Sequence, residues 1–221
     1  MPTAHAGSDA VNLPNALTLS RIVATPLIFL LPFADSWELK LAGFVIYLIA
    51  AISDYWDGQL ARTRNLVTDL GKLLDPLADK ALLLGTLVPI YLLQSGHGTV
   101  LSMRFVTPWG DAGMPLWVLV VVLGRELFMT IFRQAAARRG TVIAAIGPAK
   151  WKTGFQCVWV GAAYFWFAAK SAAFHWQWDS DLWRAFANFN GVVGVVTMTV
   201  AVALTVYSLG LYLRRYARVF A

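Results

Sequence analysis

Six apolar runs alternate with polar breaks along the 221 residues. They cover about Leu17–Phe33, Leu39–Ala61, Leu73–Leu93, Pro115–Phe132, Thr153–Ala169 and Gly191–Leu213. Each approaches the roughly 20 residues that a helix needs to cross a hydrocarbon core of about 30 Å. The pattern therefore predicts an all-α integral membrane protein with six transmembrane helices. A short interfacial helix with Pro14 near its start is expected to run into the first span, where Asn15, Thr18 and Arg21 form a polar stripe at helical spacing. Residues 1–12 are polar and lack the basic start of a cleaved signal, so they are expected to be a flexible cytoplasmic tail before one membrane domain, 13–221. Gln94–Met114, rich in Gly, Ser and Pro, predicts a loop. Trp176, Trp178 and Trp183 have the composition of an interfacial belt.

Two of the runs are too short without their acidic ends. Leu41–Ile52 makes only about 18 Å of helix, so a span there must continue through Asp54 and Asp57. Ala81–Leu93 likewise needs the segment that carries Asp75 and Asp79. Asp54 and Asp57 are three apart and Asp75 and Asp79 four apart, so each pair shares a helix face. An Asp pair alone would read as solvated charge at a helix end; carboxylates at membrane depth are functional candidates. Four of them facing one space repel unless cations lie between, and an all-oxygen set favours hard divalent ions. Gly58, Ala61 and Gly71 leave room for a close ligand, and Arg62 offers a forked donor suited to phosphate. Asp75 followed by Pro76 suits a helix start, whose positive end would favour phosphate.

Composition strengthens the membrane reading. The chain is 58% hydrophobic and only 14% charged, too apolar for an ordinary soluble domain. The single cysteine, Cys157, falls within a span and is expected to be a small buried core residue. The net charge of +6 is explained by topology: fourteen of the eighteen Lys and Arg lie on one predicted face, against Lys40, Arg104, Lys170 and Arg184 on the other. Both termini and the aspartates are then cytoplasmic, and no nucleic-acid partner is needed to account for the charge. His5, His97 and His175 are isolated and receive no chemistry.

Asp54, Asp57, Gly58, Ala61, Arg62, Gly71, Asp75 and Asp79 reproduce the pattern D-x2-D-G-x2-A-R-x8-G-x3-D-x3-D without a gap. On these eight positions the chain resembles the CDP-alcohol phosphotransferase family. The resemblance implies an enzyme of the bacterial cytoplasmic (inner) membrane, commonly a homodimer, with its site in a cytoplasm-facing polar cavity. It implies two divalent cations, Mg2+ or Mn2+, held by Asp54, Asp57, Asp75 and Asp79. Asp79 is implied as the base, and Gly58, Ala61, Arg62 and Gly71, with Asp54, as the nucleotide pocket. The segments NLPNALTLSRIVATP, GRELFMTIFRQAAARRGTVIAA and AKWKTGFQ resemble the branch whose acceptor is glycerol 3-phosphate and whose donor is CDP-diacylglycerol.

An acceptor phosphate would need cations beside the carboxylates. Arg125, Arg133, Lys150 and Lys152, on the fourth span and at the mouth of the fifth, are the candidates. Adjacent helix positions point about 100° apart, which predicts separate partners for Arg125 and Glu126. Phosphatidylglycerol, an inositol phosphate or serine are alternative acceptors. The rival from another class, a cation transporter, would favour carboxylates at mid-membrane and an internal repeat, and the chain shows neither.

Overall fold

A computed structural model describes residues 13–64, 69–96, 101–140 and 147–216. Within these, nothing is described of the side chains at 13–15, 17, 54–64, 69–73 and 148–150. The described residues form six long helices: α1 (Leu13–Leu30), α2 (Trp37–Arg64), α3 (Asp69–Gln94), α4 (Leu116–Arg138), α5 (Gly147–His175) and α6 (Asp181–Tyr216). Three stretches, Leu74–Gln94, Trp151–His175 and Asp181–Tyr216, are long and apolar enough to cross a membrane, and Thr18–Phe33 is a shorter apolar helix. A helical membrane protein was the expectation, and these apolar helices among the described residues agree with it.

The segment at Pro14 runs into the first apolar run as expected, in one continuous helix from Leu13. Several local expectations are corrected. Pro76 does not start a helix: α3 begins at Asp69 and carries Pro76 and Pro89 in its interior. No helix N-terminus therefore points from Asp75 into the site. α6 starts at Asp181, ten residues ahead of the expected span, and takes in Trp183. The all-α description also gives way locally, because the supposed loop after α3 contains a hairpin, β1 (Phe105–Thr107) paired antiparallel with β2 (Gly110–Ala112).

The hairpin is packed into the bundle. Phe105 is 1% exposed, and its ring occupies the space that a Cβ on Gly194 would need, 2.4 Å away. A Cβ on Gly191 would stand 1.8 Å from the Val106 carbonyl oxygen. Two glycines on one face of α6 thus admit the β1 backbone and the Phe105 ring. Polar ties complete the seam: Trp166 Nε1 donates to the Arg104 carbonyl at 2.8 Å, and the Met114 amide donates to Gln94 Oε1 at 2.8 Å.

α5 is the central helix, with Trp159, Tyr164, Trp166 and Phe167 buried at 0–1% exposure. The Tyr164 hydroxyl lies 3.1 Å from the carbonyl oxygens of both Ile28 and Gly85, joining α5 to α1 and α3. α1 and α3 run side by side in the same direction, as Thr25 against Gly85 and the paired contacts of Thr18 and Arg21 described below establish. On the opposite side of α1, Leu19, Val23, Leu27 and Leu30 are exposed at spacings of three and four. Such a stripe is what a helix turned towards lipid presents. Cys157 belongs to this outward set: it is exposed and not a core residue, because in a membrane an apolar side chain has no reason to prefer the interior to lipid.

Candidate functional site

The expected acidic pair on α3 meets a polar stripe on α1. Thr18 Oγ1 donates to Asp75 Oδ1 at 2.7 Å. One turn on, Arg21 Nη1 donates to Asp79 Oδ1 at 3.1 Å. Helical periodicity puts Thr18 and Arg21 on one face of α1 and Asp75 and Asp79 on one face of α3, and the parallel packing brings the two faces into register. Arg21 and Thr18 are 2% and 1% exposed, whereas the Asp79 side chain is 61% exposed. The buried α1 groups thus hold the carboxylates from behind while the carboxylates face outward.

The other expected acids sit near the C-terminal end of α2, and α2 folds back on α1 with Leu31 against Gly43. Helix positions 54 and 57 lie in the last three turns of α2, which ends at Arg64. The side chains of Asp54, Asp57, Gly58, Ala61, Arg62, Gly71 and Lys150 lie outside the described residues.

A second polar cluster joins α4, α5 and α6. Arg125 Nη1 donates to Glu126 Oε1 at 2.7 Å, and Lys152 Nζ donates to the same oxygen. Arg125 and Glu126 therefore share a partnership that the 100° separation of their helix positions argued against; both side chains are long enough to curl around the helix surface. Arg125 Nη2 also reaches Ser208 Oγ at 3.2 Å. The Arg133 guanidinium stands 5.8 Å over the Tyr212 ring, a cation–π distance. Arg125 and Lys152 are 7% and 6% exposed. Of the expected acceptor-binding set, three members are thus found close together, and Glu126, Ser208 and Tyr212 were missed as their partners.

Beside these polar groups runs an apolar groove of about 620 Å³ between α2, α5 and α6, lined by Tyr47, Ala51, Ile52, Cys157 and Phe165 among others. On α2 it ends two positions before Asp54, and on α5 it begins five positions after Lys152.

Does the site suit divalent cations? Asp75 and Asp79 present hard carboxylate oxygens one turn apart on an exposed face, the donor chemistry of Mg2+ or Mn2+. Among the described residues no group of three or more His, Cys, Asp or Glu assembles. The two described carboxylates fit such an ion, and Asp54 and Asp57 would have to complete the set.

A family model described as CDP-alcohol phosphatidyltransferase matches residues 11–207. The chain belongs to this family. It is also similar to individual members. It is 29% identical over 216 residues to CDP-diacylglycerol–glycerol-3-phosphate 3-phosphatidyltransferase 2 of Arabidopsis thaliana, covering 96% of this chain and 82% of that protein. The Bacillus subtilis CDP-diacylglycerol–glycerol-3-phosphate 3-phosphatidyltransferase is 37% identical over 164 residues, 68% of this chain and 75% of its own. A probable phosphatidylglycerophosphate synthase of Mycobacterium tuberculosis is 35% identical over 153 residues, 68% of this chain and 64% of its own. The CDP-alcohol phosphatidyltransferase match spans the acidic positions of α2 and α3 and the basic positions of α4 and α5.

Proposed function

We propose that this enzyme transfers the phosphatidyl group of CDP-diacylglycerol to glycerol 3-phosphate, giving phosphatidylglycerol phosphate and CMP. The observation that carries the reading is the pairing of an outward-facing Asp75–Asp79 face with a separate Arg125–Lys152–Arg133 cluster. One suits a nucleotide pyrophosphate with its cations, the other an acceptor phosphate. Relatives named for this reaction add their weight.

In this mechanism the donor's acyl chains lie in apolar surface such as the α2–α5–α6 groove, and its pyrophosphate meets the acidic end of α2 and α3. Gly58, Ala61, Arg62 and Gly71, with Asp54, form the nucleotide pocket. Asp54, Asp57, Asp75 and Asp79 would hold two divalent cations, which when bound would neutralise the pyrophosphate and stabilise the CMP leaving group. Thr18 and Arg21 fix the orientation of Asp75 and Asp79. Arg125, Arg133, Lys150 and Lys152 bind the acceptor phosphate and so bring its hydroxyl to the donor. Asp79 takes the proton from that hydroxyl. The hydroxyl oxygen bonds to the phosphorus that carries diacylglycerol, and the bond from that phosphorus to the oxygen of CMP breaks.

The proposal includes six membrane crossings, with the polar cavity open to the cytoplasm. It includes a single membrane domain over 13–221, both termini on the cytoplasmic side of a bacterial inner membrane, and a homodimer. The experiment is CMP release from CDP-diacylglycerol by purified protein, with glycerol 3-phosphate, phosphatidylglycerol, inositol phosphate and serine offered in turn. Release with glycerol 3-phosphate alone is expected. Release with a different acceptor would overturn the choice of acceptor, and no release with any would overturn the reaction.

A further inference from the structure

The basic cluster has an inner layer, and that layer says how the pocket is built. Arg125 and Lys152 are buried cations that repel each other, and Arg133 adds a third positive charge nearby. Burying such groups without a counter-charge is costly. Glu126 supplies it, with one oxygen, Oε1, accepting from both Arg125 and Lys152. A single acceptor atom shared by two long basic side chains draws their ends to one point. From the other direction α6 closes the space: Ser208 Oγ, fully buried, receives Arg125 Nη2, and the fully buried Tyr212 ring backs Arg133.

Two observations point beyond packing. Among the described residues, three cations against one carboxylate leave a surplus of two positive charges, the complement of a phosphate monoester, which carries about −1.5 to −2 at neutral pH. Arg125 Nε is buried and has no hydrogen-bond partner among the described residues, a donor that ordinarily finds one.

We propose that Glu126 is a positioning residue for acceptor selection, with Ser208 and Tyr212 as the wall behind it. It holds Arg125 and Lys152 converged so that the pocket accepts an alcohol bearing a phosphate monoester and not its unphosphorylated analogue. This rests on the reading of Arg125, Arg133 and Lys152 as the acceptor-phosphate pocket. Glu126 need not touch the reacting atoms. Its effect passes through the two cations it orients.

The test uses the full chain in lipid nanodiscs, with steady-state kinetics in both substrates. Glu126→Gln keeps the shape and removes the charge. The KM for glycerol 3-phosphate should rise by about tenfold, the scale of one lost charge-assisted hydrogen bond. The KM for CDP-diacylglycerol should hold, and Glu126→Asp should recover part of the loss. Ser208→Ala, a change in the same wall, should raise the acceptor KM by up to about tenfold through the loss of one hydrogen bond from the Arg125 guanidinium. An unchanged acceptor KM in Glu126→Gln overturns the proposal. So does an equal rise in both KM values with a lowered melting temperature, which would make the residue merely structural.

A second arm separates this proposal from the reaction itself: thermal stabilisation by inorganic phosphate, without donor or acceptor. Stabilisation of the parent chain that is lost in Glu126→Gln supports the pocket even if glycerol 3-phosphate is not the acceptor. A parent chain that phosphate does not stabilise overturns the proposal whatever the enzyme's acceptor.

Discussion

Arg21, 2% exposed on α1, donates a 3.1 Å hydrogen bond to the outward-facing carboxylate of Asp79 on α3. A buried arginine is costly to place in a membrane protein unless its charge is used. Here it anchors the residue proposed to accept the proton. Arg21→Ala should lower kcat by about ten- to a hundredfold through lost orientation of Asp79, with little change in the KM for glycerol 3-phosphate. Arg21→Lys, which keeps the charge but not the fork, should fall between. A variant with parental kcat would remove Arg21 from the site.

Thr18→Val tests the neighbouring contact. The substitution keeps the shape and deletes the donor to Asp75 Oδ1, a hydrogen bond to a charged group of about 1.5–3 kcal/mol. Activity should fall, and the concentration of Mg2+ needed for half-maximal rate should rise. Thr18→Ser should restore both. An unchanged metal requirement in Thr18→Val would detach Thr18 from the acidic face.

Chelation tests the ion proposal directly. After treatment with EDTA, CMP release should stop and return with added Mg2+ or Mn2+, the ions that suit carboxylate oxygens. Full activity after exhaustive chelation would contradict it.

The hairpin carries a stability prediction. Gly191→Ala would drive a Cβ into the Val106 carbonyl, and Gly194→Ala into the Phe105 ring, so each should destabilise the bundle by about 1–3 kcal/mol. Phe105→Ala should cost about 3–5 kcal/mol by opening a cavity. Melting in detergent reads all three. A parental melting temperature in Gly191→Ala would mean that β1 does not pack there.

The acidic pair on α3 was legible because its meaning is local: a spacing of four puts Asp75 and Asp79 on one helix face whatever the tertiary fold. The stripe of Thr18 and Arg21 was legible as a stripe, but its partners were not. They lie 57 and 58 residues away, across a parallel pairing of α1 and α3 that no local pattern encodes. Pro76 misled because proline, favoured in a first turn, is also tolerated inside a membrane helix, where neighbouring groups re-satisfy the freed backbone. The hairpin was hidden by a composition typical of loops, and the glycines that receive it lie on a helix more than eighty residues later. Cys157 was placed in the core by soluble-protein logic, which fails when lipid is as apolar as the interior. Glu126 was seen as a charge but its partners were not, since one belongs to α5 and the other is its immediate neighbour.

The most direct test of the proposed reaction follows label from isotopically marked glycerol 3-phosphate into lipid while CMP is counted, with the parent chain beside Asp79→Asn. One CMP per labelled phosphatidylglycerol phosphate, with both products lost in Asp79→Asn, is the predicted result; CMP released without label entering lipid, or a fully active Asp79→Asn, would contradict it.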